Sequence, residues 1–192
     1  MKPHIFVHIP KTGGWVLRES KQISTYKHKT AKQIRNAVGA AKFSRLVTFA
    51  MTRNPYDRLL SAYFYFYQMD ETHMFWRISS DRRTAIDIKR FTTFPDFVNN
   101  FSDFKYGNYL HFQNQKQFLV DGKTTIVDYI GRFEEYDKSW KDICRLIDLP
   151  HVKLKKINTS NHKPWMSYYN DTMREKVYAM YKEDFKLRGY NK

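Results

Sequence analysis

A single cysteine, Cys144, stands among 192 residues, so no internal disulfide can staple the fold. Its place in an apolar helical pattern predicts a buried thiol rather than a nucleophile. Long apolar runs are missing too. The longest stretch free of formal charge runs from Leu59 to Met69, well short of the roughly 20 residues a membrane-spanning helix needs. The opening MKPHIFVHIPKTGG has neither the apolar core nor the small-residue cleavage site of a secretory signal. The expectation is therefore a cytoplasmic protein, of bacterial or viral origin. Acidic residues are scarce, 19 against 34 basic, for a net charge of +15. Such a surplus attracts nucleic acid, anionic glycans or phosphorylated small molecules without choosing among them. There is no repeat, no low-complexity segment and no tight acidic or histidine cluster, so no metal is expected. No GxxxxGK[ST] occurs anywhere, which argues against a kinase or nucleoside triphosphatase.

What is present suits a packed core. Hydrophobic residues make up 42% and aromatics 17%, enough to exclude disorder and to fill one domain over 1–192. His4 to His8 reads as a buried strand, followed after Gly13–Gly14 by a helix to about Gln22. Leu46 to Met51 reads as a second strand. Pro55 then opens a helix through YDRLLSAYFYFY, with Leu59, Leu60, Tyr63 and Tyr67 on one stripe. Residues 68–92 break the rhythm and read as a surface excursion. Thr93 caps a short helix over PDFVNNF. Thr125 to Arg132 reads as a third strand, and Glu134 to Leu149 as an amphipathic helix with Trp140, Ile143, Cys144 and Ile147 inward. Asn158 to Pro164 reads as a loop, and Thr172 with Glu175 as the capping box of a final helix to about Tyr181. Strands alternating with helices predict an α/β domain, P-loop-like, with a central parallel sheet flanked by helices.

Two turns carry the chemistry. In HIPKTGG a strand ends in Lys11, Thr12, Gly13 and Gly14, where small residues let backbone N–H groups close on an anion and a lysine adds full charge. In TRNPYDRLLSAY a second strand ends at Arg53, whose fork can grip a phosphate in two places. Ser61 lies eight residues on, and Arg58 on the same helix reads as structural. Two such turns at the carboxyl ends of different strands face one crevice of an α/β sheet. Their ligand should carry two separated anionic groups.

HIPKTGG followed by RNPYDRLLSAY resembles the paired signature of sulfotransferases that use 3′-phosphoadenosine 5′-phosphosulfate (PAPS), most nearly the glycan sulfotransferases of the HIPKTGG type. The likeness extends through HKTAKQIRN, IGRFEEY and YKEDFKLRGY. It implies that Lys11, Thr12, Gly13, Gly14 and the backbone of Trp15 contact the 5′-phosphosulfate, and that Arg53 and Ser61 hold the 3′-phosphate. Adenosine 3′,5′-bisphosphate is then the product and no metal is demanded. Arg132 and Lys163 are further candidates for cofactor contact. Many family members carry threonine or serine after the two glycines, where this chain has Trp15 and Val16. That departure keeps a non-catalytic nucleotide- or nucleic-acid-binding relative as the alternative.

Sulfuryl transfer by positioning and charge stabilisation calls for Lys11 at the leaving oxygen and a base for the acceptor hydroxyl. His28, in TYKHKTAKQIRN, occupies the position that supplies a catalytic histidine in the heparan 2-O-sulfotransferase branch. His111 and Glu19 remain alternatives. NYLHFQNQ, with His111 and Gln115, resembles a substrate-side segment of related enzymes. The resemblance implies a saccharide hydroxyl as acceptor. Trp76, Arg77, Arg82, Arg83, Lys89 and Arg90 of the excursion suit an anionic sugar.

Overall fold

The computed structural model describes residues 1–19, 22–69, 79–151, 154 and 163–192. In chain order its helices are α1 (Gly14–Glu19), α2 (Ala31–Val38), α3 (Ala40–Phe43), α4 (Pro55–Tyr67), α5 (Ser79–Ile88), α6 (Phe94–Asn99), α7 (Tyr136–Leu146), α8 (Asp171–Met180) and α9 (Lys182–Arg188). Its strands are β1 (His4–Val7), β2 (Val47–Thr52), β3 (Val120–Asp121), β4 (Thr124–Thr125) and β5 (Tyr129–Arg132). The chain divides into two compact units, Met1–Asn54 with Asn114–Thr159, and Pro55–Gln113 with Ser160–Lys192.

The first unit is built on a parallel sheet in the order β1-β2-β5. His4 pairs with Val47 and Val7 with Ala50, while Phe49 pairs with Tyr129 and Thr52 with Arg132. The strands are short and apolar and both faces are covered, as a parallel sheet requires. Phe6, Phe49 and Met51 pack with Leu17 of α1 and with Trp140, Ile143, Cys144 and Ile147 of the α7 segment. Cys144 is buried, and that burial pushes its thiol pKa up. The outer edge of β1 is not left bare. Phe6 N–H donates to Ser24 O (2.9 Å) and Thr25 Oγ1 donates to Phe6 O (2.9 Å), so residues 22–28 run along that edge.

The second unit is helical with an aromatic core. Tyr56, Tyr63, Phe66, Phe97 and Phe112 of its first part pack with Met173, Val177 and Phe185 of α8 and α9. In α4 the buried face is far wider than a stripe: Leu59, Leu60 and Tyr63 are joined inside by Tyr56, Arg58, Ser61, Ala62 and Phe66. Tyr67 is only half-buried, its hydroxyl donating to Thr92 O (3.3 Å).

Several elements depart from the sequence reading. The strand expected over 125–132 divides. Thr124–Thr125 turns back on Val120–Asp121 through Gly122 (φ 62°), and only Tyr129–Arg132 joins the sheet. Asp128 causes the break, because its carboxylate accepts both the Thr48 N–H and the Thr48 hydroxyl at 2.7 Å. The helix expected to Leu149 stops at Leu146, with Asp148 at φ 53°. The cap of α8 is Asn170, accepting from Met173 N–H at 2.9 Å, and Thr172 lies inside the helix. Thr93 caps α6 as its sequence predicts. Of the 68–92 excursion, residues 70–78 lie outside the described residues, Trp76 and Arg77 among them. Residues 79–88 form α5, which buries Thr84, Ala85 and Ile88 rather than running irregularly over the surface. Most of the loop expected at 158–164 also lies outside the described residues.

Candidate active site

The residues following β1 make a narrow, backbone-lined turn. Lys11 (φ 67°) and Gly13 (φ 78°) are both left-handed, with Thr12 between them. Alternation of this kind curls successive N–H groups toward one side, the geometry of an anion-binding nest. Thr12 is buried and its hydroxyl donates to Ile9 O (2.9 Å), so it ties the turn to the strand it leaves. Gly13 is walled by aromatics. A Cβ there would stand 2.8 Å from Tyr136 Cε2 and 2.9 Å from Phe133 Cε2. The Tyr136 hydroxyl donates to Gly13 O at 3.0 Å, and burial raises that phenol above its ordinary pKa. Gly14 is closer still to its neighbours, with an added Cβ falling 2.2 Å from the His8 ring.

Arg53, at the end of β2, is drawn to this turn. Its Nη1 donates to Lys11 O at 3.2 Å, and its guanidinium lies 4.4 Å from the centroid of the Phe133 ring. The sequence reading kept the two turns as separate cradles; the fold joins them through Arg53. Its backbone is clamped by Gln115, whose Oε1 accepts Arg53 N–H (2.9 Å) and whose Nε2 donates to Arg53 O (2.8 Å). Gln115 is almost wholly buried, so this side chain serves Arg53 directly. Arg132 ends β5, beside β2. Ser139 Oγ fastens its backbone, accepting from Arg132 N–H (2.9 Å) and donating to Arg132 O (3.1 Å). Glu134 sits among these cations, with Oε1 accepting Asn54 N–H (2.5 Å) and Oε2 3.9 Å from Arg132 Nε.

His28 is half-buried in a left-handed conformation (φ 60°), its Nδ1 3.1 Å from His8 O. Trp15 is 45% exposed, with the Arg18 guanidinium 5.1 Å from its ring centroid. Lys11, Thr12, Gly13, Gly14, Trp15, His28, Arg53, Gln115 and Arg132 therefore all belong to the first unit, whereas Ser61, His111 and Lys163 belong to the second.

A comparison with protein families decides the lineage of this arrangement: the profile of the Sulfotransferase family matches residues 5–191. The chain belongs to the sulfotransferase family. This family member is 24% identical over 131 residues to an uncharacterized protein of Archaeoglobus fulgidus, a stretch that covers 68% of this chain and 91% of that one. No solved structure matches it significantly.

In the second unit of this sulfotransferase-family chain, Ser61 is buried on α4. His111 is buried among Tyr65, Phe66 and Tyr109, with ring centroids 5.5, 4.9 and 5.2 Å away. Lys163 is exposed, its backbone N–H donating to the Tyr168 hydroxyl (3.3 Å). Among the cations expected to face an acceptor, Lys89 Nζ donates to Met69 O (2.7 Å) and Arg90 pairs with Asp87 (2.8 Å). Arg83 lines an open cleft of about 310 Å³ with Ile86, Asp87, Arg90, Lys105 and Tyr106. Among the described residues no group of three or more histidine, cysteine or acidic side chains gathers as a metal site, and no helix is long and apolar enough to cross a membrane.

Sequence reasoning missed Phe133 and Tyr136, the aromatic walls of the turn. Their signal was the order GRFEEY: a strand end followed at once by two aromatics three residues apart. For Gln115, expected on the substrate side, the sequence carried no sign of the Arg53 backbone that it also clamps.

Proposed function

We propose that the chain is a PAPS-dependent sulfotransferase acting on a hydroxyl group of a saccharide, as one domain over 1–192. The observation that carries this reading is the convergence of the Lys11–Gly14 turn and Arg53, in a chain of sulfotransferase lineage. The donor brings an activated sulfonate and leaves as adenosine 3′,5′-bisphosphate. The turn fits its phosphosulfate end. Two glycines stand where an added Cβ would collide with aromatic or imidazole rings, so the turn has no room for larger residues there, and its backbone N–H groups are the donors it offers an anion.

The protein's part is to hold and to neutralise. N–H groups of residues 12–15 and the Lys11 ammonium meet charge on the phosphosulfate, and Lys11 stabilises the departing phosphate oxygen. Arg53, fixed by Phe133, Gln115 and the Lys11 carbonyl, supplies a rigid fork for phosphate. Arg132 adds charge beside it, moderated by Glu134. His28 takes the hydroxyl proton as the new O–S bond forms and the old S–O bond to phosphate breaks.

Calorimetric titration with adenosine 3′,5′-bisphosphate tests the reading, followed by transfer of labelled sulfate from PAPS to a panel of saccharides, peptides and small alcohols. Micromolar affinity, lost in Lys11→Ala and Arg53→Ala, is expected. A wild-type protein that binds no bisphosphate overturns the proposal.

A further inference from the structure

His8 follows β1 directly and is buried to 5% exposure. Three groups meet its imidazole. The Phe6 ring stacks on it at 5.2 Å between centroids, and the His28 ring leans against it at 4.3 Å and 41°. The third is Gly14: an added Cβ there would lie 2.2 Å from His8 Cδ2 and 2.4 Å from Nε2. One ring thus touches both the glycine of the donor turn and the imidazole of the proposed base.

The His8 backbone fixes that base further. Its carbonyl lies 3.1 Å from His28 Nδ1. A carbonyl oxygen can only accept, so Nδ1 carries the hydrogen and the basic lone pair of neutral His28 is on Nε2. The left-handed backbone at His28 and the pairing of residues 22–28 along β1 deliver the ring to this bond.

Simple packing does not account for an imidazole here. Nδ1 of His8 is buried without a hydrogen-bond partner, which is destabilising and which a hydrocarbon side chain would avoid. A six-membered ring, however, would push into Gly14, and an aliphatic side chain is not flat. Burial first, then the charges of His28 and Arg18, hold the His8 pKa down to about 2, so the ring stays neutral wherever the protein works.

We infer that His8 is a positioning residue: a flat spacer between the Gly13–Gly14 turn and His28 that sets the distance and the tautomer with which His28 Nε2 meets an acceptor hydroxyl. This rests on the proposed role of His28 as base.

Ring-nitrogen spectra of the ¹⁵N-histidine-labelled full chain, loaded with adenosine 3′,5′-bisphosphate, test the inference without any substitution. His28 is expected as the Nδ1–H tautomer and His8 as neutral from acid to alkaline pH. An Nε2–H tautomer at His28 overturns the proposal. His8→Ala and His8→Gln extend the test. His8→Ala, which keeps the backbone carbonyl but removes the spacer ring, should let the His28 ring shift and lower kcat at least about tenfold, the scale of a misplaced general base. Bisphosphate affinity should stay within about threefold in both variants, because phosphate is held by other groups. His8→Gln, flat and long enough to fill the gap, should restore part of kcat. An unchanged kcat in His8→Ala overturns it as well. The base assignment fails separately: His28→Ala with wild-type turnover removes His28 from the chemistry while the spectra still report what His8 does to its ring.

Discussion

Arg53 combines two contacts that a lysine cannot reproduce. Its planar guanidinium lies over Phe133 and at the same time donates to the Lys11 carbonyl, so it is fixed in orientation before any ligand arrives. Arg53→Lys should therefore lose most of the bisphosphate affinity that Arg53→Ala loses, a drop of at least about tenfold by calorimetry. Equal affinity in Arg53→Lys and wild type would show that charge alone suffices. Gly14 is constrained by space rather than by torsion, since its φ is not positive. Gly14→Ala must displace the His8 ring, and a loss of about 1–3 kcal/mol in urea unfolding is expected from overpacking. The same ring governs an acid dependence. His8 is neutral in the fold, with its pKa near 2 against 6.5 when unfolded, so between those values the unfolded chain binds the extra proton and stability falls as pH falls below 6.5. From pH 7.5 to pH 5 this contributes a loss of about 2 kcal/mol. His8→Gln, which cannot titrate, should lack that component when unfolding free energies at the two pH values are compared.

At the scale of elements, the site depends on where strands stop and what holds them there. β2 and β5 end on the same rung, Thr52 opposite Arg132, and β1 ends two rungs earlier, Val7 opposite Ala50; the groups of the proposed donor site follow these ends. Gln115 is remote in sequence from Arg53, yet its amide exchanges two hydrogen bonds with the Arg53 backbone. Gln115→Ala should cost about 1–3 kcal/mol through the buried backbone groups it leaves unpaired. Bisphosphate affinity should fall too, although the side chain itself is not among the proposed bisphosphate contacts. A destabilised variant with undiminished affinity would separate the clamp from the site. The helix carrying HKTAKQIRN is fixed by local chemistry: Thr30 and Gln33 form a reciprocal capping box. Thr30→Ala should lower stability by about 1 kcal/mol with little effect on ligand binding. The existence of β1, β2, α4, α6 and α7 was legible, because apolar runs, Pro55 and Thr93 act within a few residues. The break at Asp128 was not, because its partner is Thr48, eighty positions back along the chain. α5 was hidden for a different reason. Its charged residues mask an inward Thr84, Ala85 and Ile88, and two of its aspartates, Asp81 and Asp87, are themselves buried.

For the whole molecule, the charge of +15 favours any polyanion, and a specific ligand must be separated from that background. Saturation with adenosine 3′,5′-bisphosphate at about a hundredfold its Kd should add about 2.7 kcal/mol. For a chain of this length, that corresponds to a rise of roughly 5–10 °C in Tm. Binding of single-stranded polynucleotide should weaken steeply with salt and leave the bisphosphate in place. Displacement of bisphosphate by polynucleotide would instead favour the nucleic-acid reading.

By itself the sequence determined the lineage, the α/β class and the positions of the two turns that follow β1 and β2, because glycine spacing, a lysine at a strand end and proline at a helix start act locally. Tertiary structure alone decided that Arg53 turns to the Lys11 carbonyl, that Gln115 clamps Arg53, that Phe133 and Tyr136 wall Gly13, and that His8 stands between Gly14 and His28. Each of those contacts joins groups whose encounter depends on parallel strand pairing and close packing, and neither is encoded in any single stretch of the chain.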